Sequence, residues 1–224
     1  MMRSFVRTEF LDPELPCLFS RTGDLDHIDQ CWELMKACRS AYNELVWTTL
    51  PQMFRSLLSI GAMQLSLVEE RGPGGPKIVA FCASMFVTDS FCREACTSVT
   101  PSLGEEVPRR YLDQRLPVLD RNAVASMNRR AGVNVMTCYC ARQSDPLPAG
   151  WLLLIREKLA EAFRTTYTGY NLKEILFAPL GEELLRWALD AGLRLREDYS
   201  DFYETHPKPD PALRSWLLGI TRDE

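Results

Sequence analysis

Val133-Asn134-Val135-Met136-Thr137-Cys138-Tyr139-Cys140-Ala141, then the loop Arg142-Gln143-Ser144-Asp145-Pro146-Leu147-Pro148-Ala149-Gly150 and Trp151, is the stretch on which the fold turns. The opening run alternates as a strand does: Val133, Val135, Thr137 and Tyr139 point one way, and Asn134, Met136, Cys138 and Cys140 the other. Prolines and glycine make the next segment a loop. Trp151 to Tyr167 reads as the strongest helix of the chain. Leu152, Ile155, Leu159, Ala162 and Phe163 form its apolar stripe beside Arg156, Lys158 and Glu161, and Gly169 and Asn171 end it. Leu172 to Ala178 is a short apolar strand that Pro179 and Gly181 break. Glu182 to Asp190 is a second helix, and Leu193 to Tyr203 is extended. Together they make a strand–helix–strand–helix–strand unit.

Upstream, Met63 to Glu69 alternates and Lys77 to Val87 is nearly all apolar or small, as in a strand covered on both faces. Arg71-Gly72-Pro73-Gly74-Gly75-Pro76 between them predicts a hairpin turn. A short apolar run from Cys17 leads to Asp24, a candidate cap for a helix over Asp26 to Leu45. A second helix is expected over Thr49 to Ser59, with Pro51 in its first turn. Ser90 to Arg130 is interrupted by Pro101, Pro108 and Pro117, with short helical pieces near Glu105–Gln114 and Leu119–Arg130, and reads as a covering insert. After the proline-rich loop Pro207 to Pro211, Trp216 to Ile220 is a last apolar run. The order predicts a mixed α/β (α+β) chain: a mostly antiparallel, twisted sheet with helices on both faces, in one domain over residues 1–224 with the insert at about 90–130.

The totals narrow the function classes. An apolar fraction of 46% with 25% charged residues suits a globular chain with a real core. A net charge of -4 argues against clamping a phosphate backbone, so no nucleic-acid partner is expected. No run reaches the roughly 18–20 apolar residues of a membrane span, and Met1 to Glu9 carries charges where a signal peptide has its apolar core. A cytoplasmic protein with reduced thiols at its eight cysteines is the expectation.

The same order resembles the GNAT acyltransferase fold. Phe19 to Ile28 looks like that family's first strand entering its first helix, the Gly72–Gly75 hairpin like its second and third strands, and Ala188-Leu189-Asp190-Ala191-Gly192-Leu193 like the end of its last helix. The resemblance runs from Cys17 to Thr221, with Ser90 to Arg130 unmatched. It implies an acyl-CoA co-substrate, acetyl-CoA or another, whose pantetheine pairs with the strand before the main helix. The pyrophosphate would meet that helix's N-terminus, where free N–H groups and the helix dipole favour an anion. Mapped onto this sequence, the cofactor-binding positions are Val135, Thr137, Arg142, Gln143, Ala149, Gly150 and Trp151. The acyl acceptor would be a small-molecule or peptide amine.

This chain departs from the family pattern twice. Pro146 and Pro148 stand where glycines would offer amides to the phosphates, so Ala149, Gly150 and Trp151 are left to supply them. The tyrosine that protonates the leaving thiolate is replaced by Ala188, beside Trp187, and neither can donate a proton. Tyr139 and Tyr199 are the substitutes by residue type, with Glu94 or Asp89 as the base. Two readings follow: an N-acyltransferase, or a GNAT-like module that binds a ligand or partner without turnover.

Other candidates are weaker. Cys138-x-Cys140 and Cys92-x3-Cys96 lack the two-residue gap of a zinc knuckle, and His27 and His206 lie far off; packing is the simpler role, and no metal is expected. His27 and His206 read as surface residues, and the pairs Arg109-Arg110 and Arg129-Arg130 as solvated faces.

Overall fold

A computed structural model describes residues 17–36, 44–97, 103–144, 147, 150–177, 182–191, 193–195 and 218–220. The strands are β1 (Leu18–Gly23), β2 (Met63–Gly72), β3 (Gly75–Val87), β4 (Val133–Arg142), β5 (Leu172–Phe177), β6 (Arg194–Leu195) and β7 (Leu218–Ile220). They form one seven-stranded sheet in the order β1-β2-β3-β4-β5-β7-β6. Every neighbouring pair is antiparallel except β4 and β5. The expected mixed, mostly antiparallel sheet is observed.

The glycine-rich turn closes as its composition demands. Gly72 pairs with Gly75 around Pro73 and Gly74, and Gly75 takes φ +94°, which a side chain would resist. Two buried layers flank the sheet. On one face α1 (Ile28–Lys36) and α2 (Glu44–Ser59) cover Leu65, Leu67, Phe81, Ala83, Met85, Met136 and Tyr139. On the other, α6 (Trp151–Thr166) lays Ile155, Leu159 and Phe163 against Val79, Cys82 and Val135, and α7 (Glu182–Asp190) adds Trp187 and Ala188. The stripe spacing places α6 on that face, because residues three and four apart share one side of a helix.

Two helix readings are corrected. The second helix begins at Glu44, five residues earlier than expected, so Pro51 stands inside it. An internal proline loses a hydrogen bond and crowds the preceding turn, at roughly 3 kcal/mol. Burial of Val46, Trp47, Leu50, Met53, Phe54 and Leu57 offsets that cost and lets the helix run through. Asp24 caps a short 3-10 turn, Leu25–His27, which leads into α1. His27 is not a surface group: its side chain is 13% exposed, with Nδ1 2.6 Å from Asp24 Oδ1 and Nε2 3.8 Å from the buried Glu69.

Among its described residues the insert holds three helices, α3 (Asp89–Thr97), α4 (Leu103–Leu112) and α5 (Arg121–Arg130). It covers both faces at one end of the sheet. Val107 of α4 joins the layer under α1 and α2, while Leu119 and Val124 join the layer under α6. Among the described residues, no helix is long and apolar enough to cross a membrane.

Candidate functional site

The site is built on β4. From Asn134 to Thr137 the strand has neighbours on both edges, with β3 antiparallel and β5 parallel. Among the described residues the last β4–β5 pair is Thr137 with Phe177, and β4 continues along β3 to Arg142. Residues 178–181, which follow β5, lie outside the described residues.

A bulge marks the transition. Ala83 opposes Tyr139 and the next residue, Ser84, opposes Thr137, so Cys138 is the extra residue in β4. The bulge reverses the expected alternation. Val133 and Val135 lie in the α6 layer, but Tyr139 turns to the α1–α2 layer with Met136. It also shifts the register by one, so Cys140 rather than Tyr139 stands opposite Cys82. Cys82 and Cys140 are joined as a disulfide, their Cα atoms 4.3 Å apart. That corrects the expectation of eight reduced thiols: a directly opposed pair on adjacent strands brings two sulfurs together. Buried Cys31 remains a thiol, pushed up to about 12 by desolvation.

Beyond the disulfide, Arg142 reaches α7. Its Nε and Nη2 bind the two carboxylate oxygens of Glu183 in the first turn of α7, the latter at 3.1 Å, and Nη1 donates to the Gln143 carbonyl at 2.7 Å. Gln143 continues the ladder through its amide, which donates to Val79, and its side-chain oxygen accepts from Lys77 at 3.3 Å. At the start of α6 the N-cap residue is Gly150, with φ +82° and no side chain of its own to cap the first turn. Trp151 is buried at that first turn, and its indole N–H and that of Trp187 are both buried with no acceptor among the described residues. Trp187 also borders a small cavity of about 20 Å³ with Cys82, Phe163 and Phe177.

The expected site residues divide accordingly. Arg142 ends β4, Gln143 follows it, and Gly150 and Trp151 begin α6. Val135 and Thr137 do not: both are fully buried in the part of β4 that β5 already pairs, and the Thr137 hydroxyl is bonded to Ser84. Tyr139 is not positioned as an acid in an open cleft. It is fully buried against Phe54, and its hydroxyl donates to the Gly104 carbonyl at 2.9 Å. Ala149 and Tyr199 lie outside the described residues.

Neither suggested base is poised to take a proton. Asp89 is held below the usual carboxylate range by Lys173, 2.8 Å away, and by Asn134. Those partners also fix it near the start of β4. Glu94 is held low by Arg110 of α4, which bonds both of its oxygens. Sequence reasoning missed Cys82, Glu183 and the bulge at Cys138. The first two are remote in sequence, and a bulge leaves no residue signature.

This architecture is the GNAT fold: a mostly antiparallel sheet with one parallel pair, β4–β5, joined through the helix α6. A mosquito protein named arylalkylamine N-acetyltransferase 7, from the yellow fever mosquito, superposes with a TM-score of 0.50 over 91% of this chain and 88% of its own, at 12% identity. Ribosomal-protein-S5-alanine acetyltransferase of Vibrio fischeri is similar at a TM-score of 0.48, 10% identity and coverages of 94% and 96%. Polyamine N-acetyltransferase of Drosophila melanogaster gives 0.47, 14%, and 92% and 100%. No protein-family model matches the sequence, and no curated protein sequence matches it. The likeness is one of fold alone.

Proposed function

We propose that the chain is an acyl-CoA-dependent N-acyltransferase, moving an acyl group from acetyl-CoA or a related thioester to a small-molecule or peptide amine. The observation that carries this reading is the bulge at Cys138, on the strand that pairs in parallel with β5 and leads to α6. A bulge leaves an amide outside the ladder, free to meet the oxyanion as the amine attacks the thioester carbonyl. The uncapped start of α6 suits a pyrophosphate through the amides of Ala149, Gly150 and Trp151. The buried indole N–H groups of Trp151 and Trp187, which find no acceptor among the described residues, also favour a ligand beside α6 and α7, because a buried unpaired donor costs about 1–3 kcal/mol.

In this reading the C–N bond forms as the C–S bond breaks. The amine loses its proton, and the thiolate gains one. Tyr139 is committed to Gly104, which leaves Tyr199 as the tyrosine to test for that second transfer. One observation favours a binding module without turnover: Trp187 and Ala188, at the position of the family's acid, are buried and carry no acid.

The test is calorimetry and thermal shift with acetyl-CoA, followed by turnover on a panel of amines. Binding to the native state should raise the melting temperature, by an amount that grows with ligand over Kd. Binding with turnover that Tyr199→Phe lowers mainly in kcat is expected. Saturable binding without turnover selects the module, and no binding by the folded protein rejects both.

A further inference from the structure

A groove of about 760 Å³ lies at the opposite end of the sheet from Arg142, where β1 ends and β2 and β5 begin. Its walls come from four unbroken described stretches, 17–36, 44–97, 103–144 and 150–177. Small-molecule sites are of this size, roughly 300–1,000 Å³. Leu25, Met63 and Val124 supply apolar lining, and Asp24, Gln64, Arg121 and Tyr170 supply charge and hydrogen-bonding groups.

Most of those polar groups are uncommitted. Among the described residues no hydrogen bond takes up the Gln64 amide or the Tyr170 hydroxyl, both on half-buried residues, and no carboxylate pairs with Arg121. The backbone that carries Arg121 is nonetheless fixed. Its amide donates to the Ile60 carbonyl at 2.8 Å, and Asp120 caps α5 by accepting from the Ala123 amide at 2.9 Å. Gly61, at φ +73°, leaves the room that the side chain of Arg121 uses, since a Cβ there would stand 3.2 Å from its Nε. Asp24 is half engaged: Oδ1 meets the Asp26 amide at 3.1 Å and His27 at 2.6 Å, whereas Oδ2 has no partner among the described residues.

A guanidinium and a carboxylate thus line one groove without neutralising each other. A ligand bearing both charges matches that set, because a guanidinium fork takes a carboxylate and a carboxylate takes an ammonium. The C-terminal ends of α2 and α6 border the groove through Ser59 and Gly169, and their partial negative charge also favours an ammonium. We propose that the groove binds a short peptide with free termini, its carboxylate on Arg121 and its ammonium on Asp24. The volume and the apolar lining favour a peptide with apolar side chains over a single amino acid. The start of β4 at this end lies about 16 Å along the strand from Cys138, so the peptide is a second ligand and not the acyl acceptor. The inference therefore stands apart from the acyl-CoA reading.

Calorimetry on the full chain with trileucine, its N-acetyl derivative and its C-terminal amide tests this. The wild type should bind trileucine saturably and each blocked peptide about tenfold more weakly, as for the loss of one hydrogen bond to a charged group. Arg121→Gln should weaken trileucine about tenfold and erase its advantage over the amide. Asp24→Asn, which can still cap the turn, should erase the advantage over the N-acetyl form. If either variant fails to fold, Ala125→Trp, on the exposed side of α5 that lines the groove, should abolish binding with the urea transition unchanged. No saturable binding by the folded wild type overturns the inference, as does binding that neither blocking nor substitution weakens. Sensitivity at one terminus only overturns the two-charge assignment, and free leucine binding as tightly as trileucine overturns the peptide.

Discussion

Val133–Thr137 and Cys138–Arg142 are equal lengths of one strand under different constraints. The first five residues are paired with β5, four of them with β3 as well, and none is more than 1% exposed. The last five keep β3, carry the bulge and are held by long-range ties: the Cys82–Cys140 disulfide and the Arg142–Glu183 fork. Packing dictates the closed first half; the second is the half we propose is open to a ligand. The bulge also sets where Tyr139 lies, out of the α6 layer and in the opposite core.

The comparison can be broken most forcefully at its two flanking glycines. Gly132 enters the closed half at φ +85°, and a Cβ there would stand 2.6 Å from the Asn171 carbonyl oxygen. Gly132→Ala should cost roughly 3–5 kcal/mol, since left-handed backbone strain of about 1–2 kcal/mol adds to a clash with backbone that cannot rotate away. Gly150 has nearly the same φ, +82°, but among the described residues nothing lies within 4 Å of its Cβ position. Gly150→Ala should cost only about 1–2 kcal/mol, the strain alone. Urea unfolding of both variants measures the contrast, and equal losses would mean that the two ends are packed alike.

The disulfide comes next. It closes a separation of 58 residues, so its reduction should remove about 2–4 kcal/mol of stability by the chain-entropy argument. Thermal unfolding with and without a phosphine reductant, with mass spectrometry of alkylated protein to count thiols, checks both the bond and its worth. Cys82 and Cys140 alkylated under native, non-reducing conditions would remove this tie from the open half. The smallest effect sharpens the assignment of Tyr139. Tyr139→Phe should lose about 1 kcal/mol, one hydrogen bond to Gly104, with kcat unaffected if the chain turns over. A large fall in kcat at full stability would return Tyr139 to the chemistry.

Much of this fold was legible because periodic burial writes itself into sequence. The predicted helix over Glu182 to Asp190 matches α7 at both ends, and that over Trp151 to Tyr167 overshoots α6 by one residue. The hairpin was legible from Gly72 and Gly75, whose freedom the turn uses. The missed helix α3 is short and mostly polar, and its cysteines give no clear stripe. Of the expected site residues, Arg142, Gln143, Gly150 and Trp151 lie at the end of β4 and the start of α6, where loop and helix boundaries carry composition signals. Val135 and Thr137 lie in the stretch that β5 pairs, and where a neighbouring strand runs is a tertiary fact. Cys82 and Glu183 are brought in by register and by the path of α7, which residue type does not encode.

The central claim is that the ligand edge of β4 begins at Cys138. Hydrogen exchange read amide by amide, with and without saturating acetyl-CoA, tests it most directly. Protection should rise in Cys138–Arg142 and at the start of α6, and stay unchanged in Val133–Thr137, whose amides are already protected by pairing and burial. Binding that leaves Cys138–Arg142 unprotected, or that protects a different part of the sheet instead, would contradict the account.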